Sequence, residues 1–252
     1  MSGTTLDGAT AVVTGASRGL GQAITLALVE AGARVVAVAR DEANMAETLR
    51  LAEPLGGSVT PVACDVSSAT SVERMAQAVL RETGRVDILV NNAGVVNESP
   101  FLDLAADDIT RTFGVNILGP MLVTQALGRA MVAQRSGRVI NIGSVDAVVG
   151  VPNLVDYCAS KGALAQFTRA LAVEWARYGV TVNCLCPGYI ETDLNSERLR
   201  DPAVRTKVLG RVPLRRFARP EEIASWVVFL AEDRSSYATG QVIVVDGGES
   251  AR

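Results

Sequence analysis

Histidine is absent from this 252-residue chain. A Ser-His-Asp hydrolase, a Cys-His protease and a histidine-ligated zinc enzyme are thereby excluded, and any proton chemistry has to run through another side chain. Cysteine is scarce: Cys64, Cys158, Cys184 and Cys186 are the only four, and none has the CxxC spacing of a zinc or redox site. Cys184 and Cys186 lie two apart in an apolar run, where on a strand they share a face. The plain reading is small buried hydrophobes in a reducing compartment. No metal site is expected. No apolar run approaches the roughly 18 residues of a membrane span. The N-terminal MSGTTLDG has neither the basic nor the apolar region of a secretory signal, so a cytoplasmic location is expected. Lysine is rarer still, with two against 22 arginines, and no basic run occurs. At a net charge of −3 the chain lacks the footprint of a nucleic-acid binder.

What is present is a globular composition: 48% hydrophobic and 20% charged residues argue against disorder. Short β-branched apolar runs recur at Ala11–Thr14, Arg34–Ala39, Val59–Ala63, Val86–Val90, Val139–Ile142, Val180–Leu185 and Val242–Val245. Their continuity, without alternation, predicts strands covered on both faces. Helical spacing fills the intervals, as in Gln22–Ala31, Ser71–Thr83 and Leu118–Gln134. The alternation predicts an α/β fold, a doubly wound Rossmann-type parallel sheet of about seven strands with helices on both faces. No linker divides the chain, so residues 1–252 read as one domain. Glu191–Arg219 breaks the rhythm: it is polar and basic, holds Pro202 and Pro213, runs up to Pro220, and shows no strong period. It reads as a lid over about 190–219, the alternative being a loosely packed connection.

The first strand runs into Thr14-Gly15-Ala16-Ser17-Arg18-Gly19-Leu20-Gly21, with a helix to follow. Glycines here let the backbone turn tightly and approach a pyrophosphate, while the helix N-terminus offers free N–H groups and a positive dipole end. The spacing is G-x-x-x-G-x-G, which differs from the G-x-G-x-x-G fingerprint. The second strand ends Val38-Ala39-Arg40, where an NAD site would carry an acid. Arg18 and Arg40 together suit a 2′-phosphate, which favours NADP(H) over NAD(H). Asp41 next door is the residue that would serve a 2′-hydroxyl instead.

The most specific feature is Tyr157-Cys158-Ala159-Ser160-Lys161. With so few lysines and tyrosines, roughly 0.03 Tyr-x-x-x-Lys pairs are expected by chance. Helical spacing from Leu154 to Arg177 places the phenol and the ammonium on one face. A neighbouring cation favours the phenolate. Bringing a tyrosine from about 10 toward 7 corresponds to about 4 kcal/mol. The pair thus reads as a histidine-free general acid/base.

With these features in order, the chain resembles the short-chain dehydrogenase/reductase family, in its smaller NAD(P)-dependent branch of 3-oxoacyl-carrier-protein reductase and gluconate 5-dehydrogenase-like members. The resemblance spans about Leu6 to Gly248. It rests on Thr14–Gly21, Asn91-Asn92-Ala93-Gly94, Ser144, Tyr157 with Lys161, Pro187-Gly188 with Thr192, and Asp246-Gly247-Gly248. It implies that Tyr157 is the proton donor or acceptor and that Lys161 lowers its pKa and bonds the nicotinamide ribose. It implies too that Ser144 orients the substrate and that Asn116 supports a water-mediated proton relay. Asp65-Val66 match the adenine contact, Asn92-Ala93-Gly94 line the cofactor, and Ile190 and Thr192 match residues beside the carboxamide. Asp146, Val148, Val151, Leu154 and Tyr189 are candidate substrate-pocket residues. The substrate is then a small carbonyl or alcohol: a 3-oxoacyl thioester, a sugar or polyol, or a small ketone. Arginines of the lid would attract an acidic carrier, or else belong to solvated helix faces. A homotetramer packed through Leu118–Gln134 and Tyr157–Arg177 is also implied, with Phe167, Leu171 and Trp175 as the weak support in the sequence. A nucleotide sensor without turnover, or a dehydratase or epimerase, are the rival readings.

Overall fold

The computed structural model describes residues 5–190 and 201–251. Seven parallel strands, β1 (Thr10–Thr14), β2 (Arg34–Ala39), β3 (Val59–Ala63), β4 (Ile88–Asn91), β5 (Gly137–Ile142), β6 (Val180–Pro187) and β7 (Val242–Val245), form one sheet. Its order is β3-β2-β1-β4-β5-β6-β7. Register is parallel throughout, from Val12 opposite Val36 to Leu185 opposite Ile243.

The apolar runs are unbroken because alternate residues feed two different cores. Ala11 and Val13 join the layer that holds Ile24 and Leu28 of α1 (Gly19–Glu30) and Ile223, Val227 and Leu230 of α8 (Pro220–Ala231). Val12 joins the opposite layer, with Met75 and Val79 of α3 (Ala69–Thr83) and Val123, Leu127 and Met131 of α5 (Gly119–Gln134). Each such side chain contributes about 1.5–3 kcal/mol on burial. Pro61 is tolerated in β3 because that strand is an edge and pairs only with β2.

Four helices add to those expected from the sequence: α2 (Ala46–Ala52), α4 (Ala106–Phe113), α7 (Pro202–Arg211) and α8. The α7 helix lies within the segment 191–219, whose sequence shows no strong period. Asp201 accepts from the Ala203 N–H at 2.8 Å and Pro202 opens the first turn, a cap-and-proline start signal. Between α4 and α5 the chain widens into a π-turn, Gly114–Leu118. The long helix α6 (Val155–Trp175) carries the Tyr–Lys pair across the sheet.

Candidate active site

Strand order reverses between β1 and β4, so their following loops part and leave a crevice at the carboxyl ends of the strands. A cleft of about 790 Å³ occupies it, large enough for a dinucleotide with a small substrate. Gly15, Ser17, Arg18, Gly19, Leu20, Gly21, Arg40, Asp65, Val66, Asn92, Ala93 and Gly94 line one end. Ser144, Asp146, Leu154, Tyr157, Lys161, Pro187, Gly188, Tyr189 and Ile190 line the other. Nearly every residue singled out from the sequence is thus brought to one cleft.

At the first end the loop is closed on itself. Gly15 has φ +67°, and a methyl on Gly21 would sit 2.0 Å from the Gly15 carbonyl oxygen, so both must be glycine. Helix α1 starts after Arg18 with no side-chain cap and no acid in its first turn. Its free N–H groups and positive end therefore suit a pyrophosphate. Arg18 and Arg40 are exposed at the rim. Asp65 accepts from the Ser67 N–H at 2.9 Å and hydroxyl at 2.6 Å. Those bonds, helped by the Arg40 charge, hold its carboxyl below the usual range. Asp41 instead accepts from the Ala43 N–H at 3.0 Å, capping its own short turn.

Asn92 binds the loop: its Nδ2 donates to the carbonyls of Thr14 at 3.0 Å and Gly15 at 3.1 Å. Its amide thus braces the phosphate loop, a role that spacing in the sequence does not reveal. Thr14 Oγ1 accepts from the N–H groups of Asn92 and Ala93, tying β1 to the chain after β4.

At the second end, Tyr157 and Lys161 stack with Nζ 5.7 Å from the ring centre. Lys161 is buried, and its Nζ donates to the Ile142 carbonyl at 2.8 Å. Ser144 Oγ accepts from the Asp146 N–H at 3.1 Å, which leaves its own proton to donate. The electrostatics correct one expectation. Burial pushes the Tyr157 phenol up from its ordinary value, the Asp146 charge adds to the rise, and a Ser144 hydrogen bond opposes it. Burial likewise pulls the Lys161 ammonium down. In this form the phenol is a proton-holding acid; the expected cation effect of Lys161 does not outweigh desolvation.

Asn116 is buried in the π-turn and does not line the cleft. Its Nδ2 donates to the Val95 carbonyl at 2.8 Å and to Ser160 Oγ at 3.1 Å, while its Oδ1 accepts from the Val95 N–H. It sits beside the pair all the same: a methyl on Gly94 would lie 3.5 Å from Asn116 Oδ1 and 3.7 Å from Lys161 Nζ. Val148 and Val151 do not line the cleft. Thr192 and the lid residues Glu191–Arg200 lie outside the described residues. The sequence reading missed Glu98, Arg111 and Ser67, which also line it. The Asp-x-Ser turn at Asp65 was a signal for Ser67; Glu98 and Arg111 reach the cleft only through the packing of α4 and the loop before it.

Cys184 and Cys186 are buried free thiols that share a hydrogen bond at 3.6 Å, packed among the hydrophobes of the β6–α6 layer. No helix is long and apolar enough to cross a membrane, and no His/Cys/Asp/Glu cluster suits a metal, among the described residues.

A family model described as enoyl-(acyl carrier protein) reductase matches residues 15–250. The chain is 38% identical over 243 residues to a 3-oxoacyl-[acyl-carrier-protein] reductase of Thermotoga maritima, covering 96% of this chain and 98% of that one. It is 40% identical over 247 residues to a D-threitol dehydrogenase of Mycolicibacterium smegmatis, covering 96% and 93%. Among solved structures, a gluconate 5-dehydrogenase of Burkholderia cenocepacia, in complex with NADP and tartrate, superposes with a TM-score of 0.95 at 35% identity over 99% of this chain and 98% of that one. The seven-strand order, the loop, the Tyr–Lys pair and matches of this extent agree: the chain belongs to the short-chain dehydrogenase/reductase family of oxidoreductases.

Proposed function

We propose that this protein is an NADP(H)-dependent oxidoreductase that interconverts a carbonyl and a secondary alcohol, with Tyr157 as the acid/base. The observation that carries the reading is the meeting of Ser144, Tyr157 and Lys161 in the cleft that begins at the uncapped end of α1. When bound, the nicotinamide supplies or accepts the hydride, and in its oxidised form adds a positive charge near the phenol. The Ser144 hydroxyl, bonded to Tyr157 and Asp146, turns to donate to the carbonyl oxygen and orients it. In reduction the Tyr157 phenol gives its proton to the forming alkoxide; in oxidation the phenolate takes it back. Lys161, anchored on Ile142, keeps two protons for ribose hydroxyls and favours the phenolate. Asn116 holds the Val95 and Ser160 groups that flank the pair, consistent with support of a proton relay.

The cofactor preference rests on Arg18 and Arg40 at the rim, on Ala39 in place of an acid, and on Asp41 turned into its own cap. Similar solved structures with bound NADP lend support. The chain acts as one domain in the cytoplasm, with the segment about 190–219 as its substrate lid, of which residues 201–219 are described. In that lid Arg205 stacks on Phe217 at 4.8 Å, and Arg211 faces Asp146. We assign it a homotetrameric state on the exposed apolar residues of α4 to α6. The test is NADPH absorbance with a broad carbonyl panel, alongside NADPH and NADH binding. Tight NADPH binding with no turnover of any carbonyl would favour a nucleotide sensor instead.

A further inference from the structure

The substrate end of the cleft is mostly apolar, with Val95, Val96, Leu154 and Tyr189 in its wall. Charged groups interrupt it: Glu98, just past Val95 and Val96, Arg111, and the carboxylate near Ser144. Asp146 is half-buried there, two residues past Ser144. Its N–H donates to Ser144 Oγ at 3.1 Å, which fixes the side chain beside the hydroxyl that orients the carbonyl. Ser144 bonds to its carboxyl. Lys161 and Arg211 face it only as more distant charges, and burial pushes its carboxyl up from the ordinary range. A carboxylate has about four acceptor sites, so beyond the Ser144 bond this partly dry group keeps acceptor capacity that a ligand donor in the cleft can fill.

Resting on the oxidoreductase reading above, we propose that Asp146 is a specificity-determining residue. It accepts a hydrogen bond from a hydroxyl on the carbon beside the reacting carbonyl. The substrate class is therefore a polyhydroxylated ketone or the matching polyol. An acyl thioester presents only methylene and alkyl groups on either side of its 3-carbonyl or its chain end, so it would leave the carboxylate dry and unpaired. A substrate ammonium is disfavoured for a different reason: Lys161 and Arg211 already balance the single negative charge. Sites built to bond a hydroxyl reject the analogue that lacks it more strongly than apolar pockets reject an extra one.

The experiment uses the full chain and follows NADPH oxidation with three carbonyl probes: erythrulose, butan-2-one and the acetoacetyl thioester of N-acetylcysteamine. The wild type is expected to prefer erythrulose to butan-2-one by at least about 10-fold in kcat/KM, and to handle the thioester poorly. Asp146→Leu is expected to reduce the erythrulose-to-butanone ratio by about 10-fold or more and to raise thioester turnover. Asp146→Asn keeps the shape and one acceptor oxygen, so its ratio should fall between the two, with NADPH affinity serving as the folding check. A ratio that neither variant moves, or a wild type that prefers the thioester, overturns the assignment while leaving the oxidoreductase reading intact. A wild type that binds NADPH but turns over none of the three overturns both.

Discussion

Desolvation and the Asp146 charge hold the Tyr157 phenol in its protonated form, and a Ser144 hydrogen bond works against them, with Lys161 Nζ 5.7 Å from the ring centre. That balance sets the sign of every pH effect at the site. Reduction uses the protonated phenol, so its rate is expected to fall as pH rises through the Tyr157 pKa; oxidation uses the phenolate and rises with pH. Lys161→Met removes a cation and should move the oxidation limb to higher pH while weakening NADPH binding. Asp146→Asn removes an anion and should move the same limb to lower pH. Shifts of about one unit or less are expected, in opposite directions, and are read from kcat/KM against pH with NADP at saturation. Tyr157→Phe keeps the ring packing and removes the proton, so it should lower kcat by at least about 100-fold with NADPH affinity within a few-fold. At the other end of the cleft, Arg40→Asp should reverse cofactor preference. Losing one charged hydrogen bond to the 2′-phosphate and adding a repelling acid is expected to change the NADPH-to-NADH Kd ratio by about 10- to 1000-fold at fixed ionic strength. A wild type that already prefers NADH would show that the two rim arginines are surface charges only.

Elements in this fold are held by caps and by close approaches that individual glycines permit. Glu222, in the first turn of α8, accepts from the Arg219 N–H at 2.9 Å and takes a two-pronged bond from Arg216 at 2.7 and 2.8 Å. The Arg216 bond, with the backbone bond behind it, brings the Glu222 carboxyl down to about 2. A depressed acid contributes stability above its unfolded value, and that contribution is lost as pH falls from about 4.5 toward 2. Glu222→Gln is therefore expected to lower Tm at pH 7, with the gap from wild type closing by pH 2–3 and shrinking in high salt, because the group is exposed. Gly128 on α5 faces Trp175 of α6, where an added methyl would meet the ring at 2.2 Å. Gly128→Ala should destabilise by about 1–3 kcal/mol, read as a lower Tm, with little effect on cofactor binding. All seven strands were legible because each β-branched run is long enough to serve two cores. Short helices such as α2 and α4 were not: at seven or eight residues each spans about two turns, too few positions for a pattern to stand out along the chain.

For the whole molecule, the described surface carries apolar side chains where α4, the π-turn, α5 and α6 face outward. Phe113, Leu118, Met121, Val155 and Val173 are all exposed, Val173 at 84%, with Phe101 and Leu102 ahead of them. Of the three residues first suggested as the interface, Phe167 stays half-buried while the other two turn inward. Leu171 and Trp175 pack inward on the α3–α5 layer, and Trp175 lies on Gly128. Helical spacing reveals that a face is apolar but not which neighbour covers it. If the exposed set joins copies of the chain, Met121→Asp and Val173→Asp should yield a smaller species by light scattering with the fold retained; an unchanged mass in both would remove these helices from the interface.

Local chemistry by itself determined the strands, the phosphate loop and the Tyr–Lys pair. A β-branched run, a glycine turn and an i,i+4 spacing each act within a few residues and leave a mark in the order of the letters. Tertiary structure alone decided what those groups feel. The phenol is raised and not lowered because residues far apart in the chain exclude water from it and bring Asp146 beside it. Asn92 braces the loop because β1 and β4 are neighbours in space while 76 positions separate Thr14 from Val90. Arg111 and Glu98 reach the cleft only through the packing of their segment. Burial and electrostatic balance are sums over everything nearby in three dimensions, and such sums have no local signature for a sequence to carry.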